Sequence, residues 1–197
     1  MSSGTGRADW VRWLGALVPL SRRTQLVGHS IAAAVILEAT AEVAADQAPR
    51  LTLVSPFFLQ PPAGLANRFW PLTAAYLRST DTSTLATRLT GDPADGSLLA
   101  SAVEDLRRPH TATRAARLLA LAARPRWHEH LRRLLRRYPG EVHLIVGEHD
   151  PLSAETSSLT VAARRSTRVI PGAGHHPQLT HPAEVAKALD HGPLARG

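Results

Sequence analysis

Apolar residues at Trp10, Trp13, Leu14, Leu17 and Val18 recur at the spacing of a helix with one buried stripe, and Pro19 would end it. The pattern then shortens. Thr24 to Gly28 reads as a brief strand, Ile31 to about Ala45 as an Ala-rich helix, and Arg50 to Ser55 as a second, buried strand. Strand, helix and strand in that order predict a parallel crossover unit.

Beyond Pro56 the character changes. A Pro-rich lead-in, PFFLQPPAGLANRFW, opens onto helical runs near Leu72 to Arg78, Leu98 to Arg107, Thr111 to Ala122 and Trp127 to Arg137, divided by the breakers GDPADG and ARPRW. The alternation resumes with EVHLIVGEHD, a strand running into a loop. A helix near Ala154 to Ala163, the strand TRVIP, the loop GAGHHPQLT and a last helix from Pro182 to Asp190 complete the chain. The expected organisation is α/β: residues 1–55 form one part of a mainly parallel core, 56–138 an all-helical insertion, and 139–197 the other part of the core. No repeat or low-complexity linker breaks it.

The 197 residues suffice for one domain that buries its own core. Cysteine is absent, which excludes disulfides and thiolate metal sites and leaves a cytoplasmic location as the expectation. The segment WLGALVPL lacks the uninterrupted apolar stretch of a cleavable leader, because its tryptophans interleave with Asp9 and Arg12. No run approaches the roughly 18 apolar residues a spanning helix needs, so no membrane is expected as a partner. The net charge of +7 rests almost wholly on arginine, Lys187 being the only lysine. The arginines are scattered, and their one dense cluster, LRRLLRR, reads as the wet face of an amphipathic helix. Without a nucleic-acid motif beside them, no nucleic acid is expected either. An anionic substrate or carrier fits the charge better.

The chemistry concentrates at LVGHSIAAA. Between Gly28 and Ala32 a strand must reverse into a helix within a residue or two, which strains the serine and asks for small residues on either side. The Ser30 hydroxyl would then project above the sheet edge. The next backbone N–H, from Ile31, would point from the helix N-terminus toward a developing oxyanion. Alone, the pattern is common by chance. Two further residues give it context: Asp150 closes LIVGEHD just after one strand, and His175 lies in PGAGHH just after the next. Loops at one edge of a parallel sheet converge. A serine needs a base to take its proton, and the base needs a partner on its other nitrogen.

Each residue also has an ordinary reading. Ser30 could cap the helix, Asp150 could cap a loop with Ser153, and His175 could be one surface histidine among 10. Their joint placement at three strand ends favours the triad. His176 competes with His175 as the base; His29 and His149 flank the site and would shape its walls, with His29 beside Ile31 on the oxyanion and substrate side. His128 and His130 lie two apart and would face opposite ways on a helix, so no metal site is expected.

LVGHSIAAA, RLTLVSPFF, VHLIVGEHDPLS and VIPGAGHHPQLTHPAEV closely resemble successive landmarks of the α/β-hydrolase superfamily, particularly small members with a helical cap. The resemblance spans nearly the whole chain and implies Ser30 as nucleophile, Asp150 as acid and His175 as base. Residues 56–138 would be the cap, with Phe57, Phe58, Phe69 and Trp70 lining an apolar acyl pocket or packing its core. His175 is preferred over His176 because the family histidine directly follows such a glycine.

The chain departs from the family in its first residues. Nothing before Thr24 resembles the early strands or the His-Gly type loop that supplies a second oxyanion donor, a loss of about 3 to 4 kcal/mol in transition-state stabilisation. The expected fold is therefore a truncated α/β-hydrolase. Its strand Thr24 to Gly28 would have one bare edge, open to a homodimer mate or a partner chain. The expected function is a cofactor-free serine hydrolase that cleaves a small-molecule ester or thioester through an acyl-enzyme. The alternative is a catalytically weak or inactive hydrolase-like binding protein or fragment.

Overall fold

The computed structural model describes residues 7–17, 21–59, 69–90, 99–150 and 166–190. Within them, α1 (Arg7–Leu17), β1 (Gln25–His29), α2 (Ile31–Ala39) and β2 (Arg50–Val54) open the chain, followed by one tight helical turn at Phe57–Leu59. Five helices come next: α3 (Trp70–Ser79), α4 (Thr82–Thr90), α5 (Ala100–Arg107), α6 (Pro109–Ala122) and α7 (Pro125–Arg137). The strands β3 (Val142–Gly147) and β4 (Ser166–Ile170) and the helices α8 (Pro177–Thr180) and α9 (Pro182–Asp190) close it.

The strands form a single parallel sheet in the order β1-β2-β3-β4. Leu26 pairs with Leu51, Leu51 with Val142, and Leu144 with Thr167, so all four strands point the same way and their C-terminal ends share one edge. Every residue of β3 is buried, His143 among them, as expected of a mainly apolar strand covered on both faces. Among the described residues β1 pairs only with β2, and Val27 on it is 49% exposed.

The main apolar cluster joins the sheet to two helices. Leu37 of α2 and Leu51, Leu53 and Leu144 of the sheet pack with Phe57 and Phe58 and with Trp127, Leu131 and Leu135 of α7. The last three recur every fourth residue on one face of α7, the period that puts side chains above one another on a helix. Arg132, read from the sequence as part of a wet face, instead donates from Nε to the Phe58 carbonyl at 2.8 Å. Tyr138 donates its hydroxyl to the Pro49 carbonyl at 2.7 Å, tying the end of α7 to the start of β2. A separate cluster holds Ala74, Leu77, Leu85, Ala86, Val103, Ala112 and Ala116, all from α3 to α6. The helical stretch after β2 therefore divides: α3 to α6 form their own small core, whereas α7 packs on the sheet.

Three elements differ from the sequence expectation. The helix α2 stops at Ala39 rather than near Ala45: Thr40 is buried, its hydroxyl bonds back to the Ile36 carbonyl at 2.9 Å, and turns at Val43 and Gln47 lead the chain down to β2. The helix α4 has no counterpart in the periodicity reading, because threonine-rich DTSTLATRLT looks β-like. Its start is set by Asp81, whose Oδ1 accepts from the Thr84 N–H at 2.8 Å and the Ser83 hydroxyl at 2.6 Å. Within the expected loop GAGHHPQLT, residues Pro177–Thr180 make one helical turn with proline at its favoured first position. The helix expected near Ala154 to Ala163 lies outside the described residues.

Candidate active site

The site is built where the C-terminal ends of β1, β3 and β4 meet. Gly28, two residues before Ser30, lies so close to the returning helix that a Cβ there would meet Ile36 Cδ1 at 2.5 Å and the Ala33 backbone nitrogen at 2.9 Å. That approach forces a sharp reversal. Ser30 takes it with φ 52° and ψ −112°, a left-handed conformation that costs a residue with a side chain. Ser55, at the equivalent end of β2, also has positive φ, at 43°. The Ser30 N–H donates to the Val54 carbonyl at 2.9 Å, so the strained residue is still tied to the sheet. Its hydroxyl makes no helix-capping bond. The close approach at Gly28 requires a residue without a side chain, whereas Ala32, two residues after Ser30, is exposed.

A second close approach brings the other two residues in. A Cβ on Gly147, the last residue of β3, would lie 2.0 Å from the Gly174 carbonyl oxygen. Only glycine lets the loop after β4 cross the end of β3 at that distance. The crossing is held by main-chain bonds from Glu148 to Ile170 at 3.0 Å and from His149 to Ala173 at 2.8 Å. The Gly172 N–H adds a bond to the Glu148 carboxylate at 2.8 Å, and Gly172 turns the loop at φ 70°. Asp150 and His175 thereby face each other across the two loops.

Ser30, His175 and Asp150 come together as one hydrogen-bonded chain. The Ser30 hydroxyl donates to His175 Nε2 at 3.2 Å, and His175 Nδ1–H donates to both carboxylate oxygens of Asp150 at 3.0 Å. The pair is shut off from solvent: the side chains of His175 and Asp150 are 6% and 0% exposed. A carboxylate on both sides of Nδ1 fixes the tautomer that leaves Nε2 free to accept. Ile31, the first residue of α2, carries a first-turn N–H that the helix ladder does not use.

The remaining histidines divide. His29 is half-buried, with Nε2 2.8 Å from the His175 carbonyl oxygen, so its Nε2–H is already spent on the protein. His176 packs at 4.6 Å from the His29 ring and 5.1 Å from the His175 ring, and its buried Nδ1 has no hydrogen-bond partner among the described residues. Burial pushes both His29 and His176 down to about 4, so both are neutral near pH 7. The exposed side chain of His149 lies 3.9 Å from Glu148. His128 and His130 are separated as expected, the first at 2.6 Å from the Ala122 carbonyl and the second 3.6 Å from Glu38. Among the described residues no group of histidines and carboxylates is arranged to hold a metal ion. No helix of the described residues is long and apolar enough to cross a membrane.

Of the four aromatics expected near a pocket, Phe57 and Phe58 are buried in the main core, while Phe69 is exposed and Trp70 lies under the Arg117 guanidinium. An open apolar cavity of about 710 Å³ instead adjoins the first turn of α2, lined by Trp10, Trp13, Ile31, Ala32, Val35 and Leu118. Periodicity could mark α1 as amphipathic, but not that its stripe would face the helix after Ser30.

No curated protein matches the sequence. Among solved structures, an alpha/beta hydrolase fold protein from Burkholderia ambifaria is similar with a TM-score of 0.71 and 22% identity, over 97% of this chain and 75% of that one. A carboxylesterase of Nitrososphaera gargenis matches with a TM-score of 0.64 and 15% identity, over 93% and 70%. A thioesterase domain from the curacin biosynthetic pathway gives 0.58 and 18%, over 94% and 72%. At such identities these likenesses speak for the fold. The model of the alpha/beta hydrolase family matches residues 2–188. With that match over nearly its whole length and with its parallel sheet, the chain belongs to the α/β hydrolase family.

Proposed function

We propose that the protein is a serine hydrolase that cleaves an ester or thioester through an acyl-enzyme, with Ser30 as nucleophile, His175 as general base and acid, and Asp150 as its orienting carboxylate. The observation that carries this reading is the unbroken relay from Ser30 Oγ to His175 Nε2 at 3.2 Å and from His175 Nδ1 to Asp150 at 3.0 Å. Family membership alone would not suffice, since one fold hosts many chemistries.

In the first half-reaction Ser30 Oγ bonds to the carbonyl carbon as its proton passes to His175 Nε2. The resulting imidazolium is stabilised by the Asp150 carboxylate, and the carbonyl oxygen, now an oxyanion, receives the Ile31 N–H at the positive end of α2. Collapse expels the alcohol or thiol, which leaves with the proton from His175. Water then attacks the acyl-serine, its proton going to His175, and the acid is released as Ser30 regains a proton. The acyl chain fits the apolar cavity beside Ile31 and Ala32, and α3 to α6 act as the cap over the site. The carboxylesterase and thioesterase with similar folds use neighbouring classes of substrate.

Hydrolysis of p-nitrophenyl butyrate and of butyryl-coenzyme A, followed in the pre-steady state with substrate in excess over enzyme, tests the reading. A burst of leaving group equal to the enzyme present, absent in Ser30→Ala, is expected. Turnover that survives Ser30→Ala excludes the acyl-serine.

A further inference from the structure

His29 stands where β1 hands over to the strained Ser30, and its ring crosses to a loop 146 residues further along the chain. There its Nε2–H donates to the main-chain carbonyl of His175 at 2.8 Å, the same residue whose ring accepts from Ser30 and donates to Asp150. Building on the hydrolase reading above, we propose that His29 is a positioning residue for the general base: it pins the His175 main chain to the nucleophile elbow, so that Nε2 stays in reach of Ser30 Oγ.

The loop needs such a tie. Main-chain hydrogen bonds hold it on either side, at Ala173 through His149 and at His176 through Leu179. Among the described residues none reaches the main chain of His175 itself. Asp150 fixes the direction of the imidazole but not the distance of its Cα from Ser30. His29 can fix that distance because its own backbone is rigid: it pairs with Val54 in the sheet, and Val54 also takes the Ser30 N–H at 2.9 Å. One strand end thus sets both the nucleophile and the base.

The chemistry of His29 suits the task. Donation to a carbonyl requires a proton on Nε2, which the neutral Nε2–H tautomer supplies. A second imidazolium 4.9 Å from the His175 ring would oppose the charge His175 must take up in each half-reaction. Burial keeps His29 neutral down to about pH 4, so the tie holds without that penalty. Glutamine can imitate it, since its amide N–H reaches about as far as an imidazole Nε2–H; asparagine is too short, and leucine has no donor.

Steady-state hydrolysis of p-nitrophenyl acetate by wild type, Ser30→Ala, His29→Leu, His29→Asn and His29→Gln separates the possibilities, with thermal melting of each. His29→Leu and His29→Asn are expected to lower kcat about tenfold with KM changed less than about twofold, and His29→Gln to recover most of it. If turnover depends on Ser30 but His29→Leu matches wild type, or the loss falls on KM, the positioning role is overturned while the hydrolase reading stands. If the leucine variant folds poorly, asparagine against glutamine decides: equal kcat in the two overturns the proposal. Turnover that ignores Ser30→Ala removes the hydrolase reading and the positioning role with it.

Discussion

Replacing Asp150 by asparagine changes one atom and should nearly abolish turnover. In the native site both carboxylate oxygens lie 3.0 Å from His175 Nδ1. An asparagine in the same place must set an amide NH2 at one of those positions, where two N–H groups would confront each other. The neutral imidazole escapes by moving its proton to Nε2, so that Nδ1 accepts from the amide. Nε2–H then faces Ser30 Oγ and cannot take its proton. The negative charge that steadied the imidazolium is lost as well, in a site where the carboxylate is fully buried. A wrong-tautomer triad loses about 10⁴ in kcat, or about 5.5 kcal/mol at 1.36 kcal/mol per decade. The substitution is nearly isosteric, so the fold should survive. The assay is kcat and KM on p-nitrophenyl butyrate beside a urea melt; a loss of less than about tenfold in a folded variant would refute the relay as the source of activity.

Gly28→Ala should cost about 1 to 3 kcal/mol in urea unfolding, because its Cβ would meet the Ala33 backbone nitrogen at 2.9 Å as well as the movable end of Ile36; an unchanged midpoint would contradict the close approach. Glu38→Ala should cost about 2 kcal/mol by the same measurement, since the buried carboxylate accepts the Trp127 indole N–H at 2.9 Å and pairs with Arg7 at 3.1 Å, joining α2 to α1 and α7. Acidification should also weaken the fold. The unfolded chain protonates His29 and His176 near 6.5, whereas the folded protein resists until about 4. Their contribution is therefore complete above about pH 6.5 and falls as the pH drops toward 4. Melting temperatures between pH 7 and 4.5 should fall less steeply in His176→Asn than in wild type, and parallel slopes would exclude His176 as a source.

The parts of the molecule written in local patterns were readable from the sequence. β3 is a mainly apolar run buried on both faces, and GHSIA marks a strand-to-helix reversal because Gly28 and the strained Ser30 must both be there. The placement of Asp150 and His175 near Ser30 was legible because each lies a few residues beyond the end of a strand, and parallel strands gather their ends at one edge. Threonine's low helix propensity hid α4, whose start depends on a side-chain cap at Asp81. Distant packing hid the division between α3 to α6 and α7, since an apolar face such as Trp127, Leu131 and Leu135 does not say which surface it will meet. The bond from His29 was the least visible. Its acceptor is a main-chain carbonyl, which every residue carries, and only the crossing of the loop over Gly147 places that carbonyl within reach.

Activation of Ser30 by His175 can be read directly from covalent labelling. Incubation with a fluorophosphonate probe, followed by digestion and mass mapping, should place one adduct on the Ser30 hydroxyl in wild type, with labelling lost in Ser30→Ala and strongly slowed in His175→Ala. An adduct at another residue, or wild-type labelling no faster than that of Ser30→Ala, would contradict the account.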